Sequence, residues 1–142
     1  MLKRSRILAP TVVVSAHCDL PCGVYDPAQA RIEAESIKAI IDKVAENEAN
    51  EANDGDPDFR VRATLIKEQR SELVKHHLWV LWTDYFKPLH FERYPQLHSL
   101  FNQATKLAGA SGTKDNFDPE VAYQLLVKID EIAEIFWETK SS

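Results

Sequence analysis

An Asp-Pro pair occurs three times in the chain, at Asp26-Pro27, Asp56-Pro57 and Asp118-Pro119, and each pair precedes apolar residues at helical spacing. An aspartate accepts hydrogen bonds from the unpaired N–H groups at the start of a helix, and proline is favoured at the first helical position. The three pairs therefore predict three helix starts.

The spacing of the apolar residues indicates how far each helix extends. No segment shows the alternating pattern of a strand. The predicted helices cover residues 27–48, residues 57–86, residues 95–108 and a last helix that begins at Pro119, with a connector before the third and a loop over residues 109–116. Four amphipathic helices and no strand predict an all-α fold, an antiparallel up-and-down four-helix bundle.

Two charged residues interrupt the predicted apolar faces. Glu33 lies one turn before Ile37 on the first helix, and Arg70 falls in the stripe of the second helix. That stripe consists of Phe59, Ala63, Ile66, Arg70, Leu73, His77 and Val80. Because an isolated buried charge is very costly, a buried Arg70 needs a partner, and Glu33 is the available carboxylate. The spacing fits an inward pair and a surface pair at the stripe edge equally well.

Both cysteines of the chain lie in the short segment before the first helix, where Cys18 and Cys22 are preceded by His17. Cysteine and histidine side chains suit copper, zinc or nickel. Pro21 disfavours a helical conformation for the preceding residue, and Gly23 permits a turn that other residues resist. The segment is therefore predicted to form a metal-binding hook.

The three side chains do not complete a structural zinc site, which has four ligands. If the chain were cut between Ala16 and His17, the new α-amine and the amide nitrogen of Cys18 would join the two thiolates. A planar set of two nitrogens and two sulfurs is diagnostic of Ni(II) or Cu(II). The imidazole of His17 could then approach from the axial side.

Residues 1–16 are predicted to be a separate leader. Lys3, Arg4 and Arg6 precede a very short apolar run interrupted by Pro10, and the small residues Ser15-Ala16 follow. This pattern partly mimics a secretory signal, and the alternative is an ordinary N-terminus.

The composition places limits on the class of protein. A chain of 142 residues with 44% hydrophobic and 27% charged residues is typical of one globular domain. A net charge of -5 without a basic stripe gives no reason to expect nucleic acid as a partner. No apolar run approaches the roughly 20 residues of a membrane span.

The hook segment, residues 17–27, resembles the nickel-binding hook of the nickel superoxide dismutase family. The likeness continues through residues 67–70, 75–77, 82–88 and 135–140. The resemblance implies an enzyme that converts superoxide to oxygen and hydrogen peroxide by Ni(II)/Ni(III) cycling, with one nickel ion per chain. It also implies a pro-segment at residues 1–16 removed by a maturation protease, a single domain at residues 17–142 with its hook at residues 17–25, and a homohexamer.

The resemblance further implies a role for individual residues. The implied metal ligands are His17, Cys18 and Cys22, and these three residues with Tyr25 form the implied catalytic set. Around them, Asp19 braces the hook, Glu33 and Arg70 hold the axial imidazole through hydrogen bonds, and Tyr85 supports Tyr25.

Two other functions remain open at this stage. One is a non-enzymatic helical module that holds copper or zinc with Cys18, Cys22 and a histidine. The other is a thiol-redox bundle in which the two cysteines cycle. A cytoplasmic location is predicted, although the leader could be mistaken for a weak export signal.

Overall fold

The computed structural model describes residues 22–50 and 56–141, and within these ranges the only regular elements are helices. They are α1 (Ala28–Glu48), α2 (Pro57–Val80), α3 (Pro88–Arg93), α4 (Leu97–Gly112) and α5 (Pro119–Lys140), with a π-helical turn (Leu81–Tyr85) that continues α2. The four long helices form a closed ring of packed pairs, α1 on α2, α2 on α4, α4 on α5 and α5 on α1. The predicted all-α four-helix bundle is confirmed.

The second and third Asp-Pro pairs start helices as predicted, with Asp at the N-cap and Pro at the first helical position. At the first pair, by contrast, Pro27 is the N-cap and α1 begins one residue later than predicted, at Ala28. The side chains of Asp56 and Asp118 accept hydrogen bonds from the backbone N–H groups of Asp58 and Glu120 at 3.0 and 2.9 Å. Asp26 accepts from the backbone N–H of Ala28 at 2.8 Å. Each bond satisfies a donor that would otherwise lack a partner within its helix.

The third predicted helix differs from the structure at both ends. It begins at Leu97 rather than Pro95, and the predicted connector before it contains the short helix α3. It also continues to Gly112, through the first part of the predicted loop. Gly112 lies against α2, where an added Cβ would be 2.5 Å from the Cβ of Ser71. This glycine therefore permits close helix packing rather than a turn.

The predicted inward face of α2 is wrong by one position along much of the helix. The buried residues are Ala63, Lys67, Ser71, Val74, Leu78 and, at the start of the π-helical turn, Leu81. The predicted core residues Ile66 and Leu73 remain 36% and 38% exposed. Apolar spacing identified the side of the helix but not the exact register, because polar residues occupy two buried positions.

Lys67 is the larger of those two polar residues and is completely buried. Its ammonium group donates to the backbone oxygens of Thr113, at 2.6 Å, and Asn116, beyond the end of α4. It also lies 4.2 Å from the centroid of the Phe117 ring. These partners replace the water that burial removes, so the charge is tolerated inside the bundle.

The core combines aliphatic and aromatic residues from all four long helices. Fully buried members include Ile37, Val74, Leu97, Phe101, Leu125 and Phe136. Phe86, at the end of the π-helical turn, packs its ring against both Phe101 and Phe136. No helix in the described part of the chain is long and apolar enough to cross a membrane.

Candidate metal centre

Three of the predicted site residues, His17, Cys18 and Asp19, lie outside the described residues. The described chain begins at Cys22, whose side chain is exposed and whose Sγ lies 4.0 Å from the Val24 carbonyl oxygen. Gly23 follows with φ +68, in the left-handed region that favours glycine. The backbone thus adopts a conformation at Gly23 that most other residues resist, whereas the first turn in the described part of the segment is at Pro27. Residues 22–27 are called the hook base below.

The hook base contacts the bundle at Tyr25. The Tyr25 ring packs against the Tyr85 ring, with centroids 5.6 Å apart and an angle of 57° between the planes. The backbone oxygen of Tyr25 accepts a hydrogen bond of 3.1 Å from the Lys140 ammonium. Two elements distant in sequence, the π-helical turn and the end of α5, therefore hold the hook base.

Tyr85 occupies the last position of the π-helical turn. The turn closes with a hydrogen bond of 3.0 Å from the Phe86 N–H to the Leu81 oxygen, and the chain then becomes extended before Pro88. The Tyr85 hydroxyl lies 2.9 Å from the Thr139 hydroxyl and 3.4 Å from the Phe136 backbone oxygen. Its ring also packs on the Phe136 ring with centroids 4.3 Å apart.

Glu33 and Arg70 form the predicted pair between α1 and α2. Arg70 Nη1 donates to Glu33 Oε2 at 2.9 Å. The Glu33 side chain is only 15% exposed, whereas that of Arg70 is 40% exposed. The carboxylate is thus largely withdrawn from water, and the guanidinium reaches it from the bundle edge. The sequence left open a buried pair or a surface pair, and the structure is intermediate between them.

Other ligand types in the described residues do not form a second metal centre. Across residues 22–50 and 56–141, no three His, Cys, Asp or Glu side chains are grouped so that they could hold a metal ion. Two of the histidines have evident structural contacts. His98 Nδ1 accepts from the Trp82 indole at 3.0 Å, and His90 Nδ1 accepts from the Lys87 backbone at 3.1 Å.

Thr139 and Lys140 contact Tyr85 and Tyr25, and sequence reasoning assigned neither of them a role. They lie inside a segment that carried the resemblance, but no residue pattern there pointed to Tyr25 or Tyr85. The Lys140–Tyr25 contact joins residues 115 positions apart. Helical spacing cannot predict such a contact, because it reports only which residues of one helix share a face.

Comparison with known proteins decides the family. The sequence profile of the nickel-containing superoxide dismutases matches residues 12–140. The chain belongs to this family. It is 59% identical to a superoxide dismutase [Ni] of Streptomyces coelicolor over 139 residues, which is 97% of this chain and 98% of that protein. A superoxide dismutase [Ni] of Streptomyces seoulensis is also 59% identical over 138 residues, which is 97% of this chain and 98% of that protein.

The solved structures agree with this membership. A native nickel superoxide dismutase structure has a TM-score of 0.79 and 57% identity, covering 89% of this chain and 100% of that chain. A structure with nickel ligation of the oxidised state gives a TM-score of 0.79 at 59% identity with the same coverage. The predictions of an oxidoreductase, of superoxide dismutation and of a nickel cofactor are confirmed for this nickel-containing superoxide dismutase family member.

Proposed function

We propose that the nickel ion of this dismutase is held by the segment before α1, through His17, Cys18 and Cys22. The single observation that carries the proposal is the family match over residues 12–140, which includes the only two cysteines of the sequence. The ligands are the α-amine and imidazole of His17, the amide nitrogen and thiolate of Cys18, and the thiolate of Cys22.

The donor set fits nickel that changes oxidation state. When bound, nickel supplies one-electron cycling between Ni(II) and Ni(III). Thiolates and a deprotonated amide are strong anionic donors that would stabilise the higher state, and a donor set of two nitrogens and two sulfurs suits nickel. The structure supports the fit at the described end of the segment, where the Cys22 side chain is exposed and Gly23 has a left-handed backbone conformation.

The neighbouring residues have positioning and proton-handling roles in this proposal. The Tyr25 phenol orders a water molecule or an anion at the open face of the site, and Tyr85 supports it through the ring contact. Asp19 braces the hook. The Glu33–Arg70 pair orients the His17 imidazole by hydrogen bonding, since such outer partners fix which ring nitrogen faces a metal.

The proposal includes removal of residues 1–16 by a maturation protease, which leaves a single domain at residues 17–142. Until that cut, the amine ligand does not exist, so the uncut chain is inactive. The comparisons support this step. The native solved structure is matched over its entire length but covers 89% of this chain, which is close to the share that remains without residues 1–16.

We also propose that the mature chain assembles as a homohexamer and works in the cytoplasm. Large apolar side chains remain exposed on the single described chain, which is typical of surfaces that bind another subunit. They include Val61, Leu89, Trp79 and Trp137. The short apolar run of the leader, interrupted by Pro10, supports retention in the cytoplasm over export.

Substitution of the cysteines tests the proposed ligands. C18S and C22S are each expected to lose both bound nickel and superoxide removal, measured on the same preparation by mass spectrometry of the metal and by a superoxide assay. H98Q, which changes a potential ligand outside the hook, is expected to retain both. Retention of nickel and activity by C18S or C22S would overturn the proposed site.

A further inference from the structure

The last turn of α5 makes two polar contacts that converge on the hook base. Lys140 donates to the backbone oxygen of Tyr25 at 3.1 Å. The Thr139 hydroxyl lies 2.9 Å from that of Tyr85, whose ring packs on Tyr25. Thr139 and Lys140 are called the α5 clasp below. One clasp residue thus reaches the Tyr25 backbone, and the other reaches its ring through Tyr85.

The direction of the hydrogen bonds in the clasp is set by its chemistry. The Thr139 hydroxyl donates to the Phe136 backbone oxygen at 2.8 Å, one helical turn earlier. Because a threonine hydroxyl has a single proton, its oxygen then accepts the proton of Tyr85. If Thr139 instead donates to Tyr85, the Tyr85 proton goes to the Phe136 backbone oxygen, 3.4 Å away and also on α5. The Tyr85 phenol is therefore held as a donor to α5, with its ring fixed against Tyr25.

Lys140 is itself restrained although it is exposed. Its ammonium nitrogen lies 5.1 Å from the Phe136 ring centroid and 5.4 Å from the Trp137 ring centroid. Cations are attracted to aromatic faces at such distances. A positive charge is also favoured in the last turn of a helix, where the backbone carbonyls have no partner within the helix. These contacts keep the ammonium near the Tyr25 oxygen.

The clasp acts close to the proposed ligand Cys22. Tyr25 follows Cys22 by three residues, and three extended residues span at most about 11 Å. Fixing both the backbone and the ring of Tyr25 therefore limits where the Cys22 thiolate and the Tyr25 phenol can lie relative to the bundle.

We propose that Lys140 and Thr139 are positioning residues of the dismutase, which hold Tyr25, and through it the Cys22 end of the hook, in place on the four-helix bundle. The inference rests on the proposed nickel ligands. It gives the end of α5 a function in nickel retention and in the reaction, in addition to packing.

The test for Lys140 uses the processed, nickel-loaded protein. K140M keeps the apolar stem but removes the donor, K140R keeps a charged donor, and K128M changes a lysine of α5 that pairs with Glu131 instead. Nickel release to a chelator and deuterium uptake by residues 22–28 are measured. K140M is expected to release nickel a few-fold faster, less than for a buried charged hydrogen bond, because Lys140 is exposed and water replaces part of the contact. K140M should also raise the deuterium uptake.

Rescue separates positioning from general destabilisation. K140R is expected to restore nickel release to within about twofold of the parent chain, because its guanidinium can donate to the same carbonyl. K128M is expected to match the parent chain in both measurements. The role of Lys140 would be refuted if K140M and K128M released nickel at the same rate and took up deuterium in residues 22–28 at the same rate.

A second pair of variants tests Thr139. T139V removes the acceptor of the Tyr85 proton with little change in shape, whereas T139S retains it. T139V is expected to lower kcat/KM for superoxide several-fold at full nickel content, and T139S to restore it. Equal kcat/KM in both variants would overturn the role of Thr139. The clasp variants and the cysteine variants test different proposals. Retention of nickel by C18S or C22S would overturn the ligand set, whereas unchanged behaviour of K140M and T139V would overturn only the role of the clasp.

Discussion

Two regions of the molecule use polar contacts in opposite ways. At the contact of α2 with α4, called the polar seam here, Lys67 and Ser71 are buried and bind backbone oxygens of the α4 end. At the hook base, Lys140 contacts Tyr25 from an exposed position, and at the Glu33–Arg70 pair the guanidinium is likewise partly open to water.

The difference teaches where stability and activity are located. Buried hydrogen bonds are costly to break because the remaining group is left without water, whereas exposed ones are replaced by water at little cost. Changes in the polar seam should therefore reduce the free energy of unfolding. Changes at the hook base should reduce nickel binding or turnover and leave the bundle folded.

The largest expected effect is the loss of function in C22S. Without the thiolate, nickel should be lost and superoxide removal abolished, while the metal-free C22S chain should unfold with a free energy within about 0.5 kcal/mol of the metal-free parent, because Cys22 is exposed. Urea unfolding of both metal-free chains measures this. A metal-free C22S bundle that is strongly destabilised would break the contrast between the two regions.

Gly112 gives the largest expected effect on stability within the polar seam. In G112A the new Cβ would lie 2.5 Å from the Ser71 Cβ, so α2 and α4 must separate at a cost of about 1–3 kcal/mol. G109A is a matched control on the same helix, since its Cβ would meet only the flexible end of the Lys75 side chain, with Cε at 3.6 Å and Nζ at 3.7 Å. We expect G109A to be neutral or stabilising by up to about 1 kcal/mol. Equal unfolding free energies for the two variants would contradict this account of the seam.

K67M tests the buried ammonium. It leaves the backbone oxygens of Thr113 and Asn116 without the Lys67 donor, and the expected loss is about 1–3 kcal/mol in urea unfolding at pH 7. The control K75M removes a partly covered lysine whose partner is the exposed Glu72, and a change below about 1 kcal/mol is expected. A K67M chain as stable as K75M would show that the seam does not depend on this charge.

The pH dependence of the unfolding free energy of K67M, compared with that of the parent chain, tests whether Lys67 is buried as a charge. Burial lowers the pKa of Lys67 below its ordinary value of 10.5. Between the lowered folded value and 10.5, the unfolded chain binds more protons than the folded chain, so Lys67 makes stability rise with pH in that window. The stability difference between the parent and K67M should therefore widen as pH rises towards 10.5. A constant or shrinking difference would contradict the effect of burial.

The smallest expected change in stability is that of E33Q, in the pair between α1 and α2. The substitution weakens a single, partly exposed ion pair, so the free energy of unfolding should fall by less than about 1 kcal/mol. If the pair orients His17, superoxide turnover should nevertheless fall well beyond this small change. E35Q, which affects the exposed pair with Arg31, is the control and should leave turnover unchanged. Equal turnover in the two variants would remove the role assigned to Glu33.

The fold was predictable where its signals are local. The Asp-Pro pairs and the apolar spacing predicted all four long helices, because capping and amphipathicity depend on residues within one element. The register of α2 was not predictable, since burial of Lys67 depends on carbonyl groups beyond α4. Gly112 was assigned to a loop for the same reason, because its need for close packing arises from Ser71 on another helix.

The candidate site divides in a similar way. The Glu33–Arg70 pair was predicted because each is a charged exception in an apolar pattern, and burying either one requires a partner. The α5 clasp was not predicted, because exposed lysines and threonines near a helix end are common and carry no pattern of their own. Only the folded arrangement places them against Tyr25 and Tyr85.

The intact mass and metal content of the purified, active protein test the central claim most directly. The account predicts a chain that begins at His17, carries one nickel ion and keeps both cysteine sulfurs out of a disulfide bond. Full dismutase activity from a chain that retains residues 1–16, or from a processed chain in which Cys18 and Cys22 are joined to each other, would contradict it.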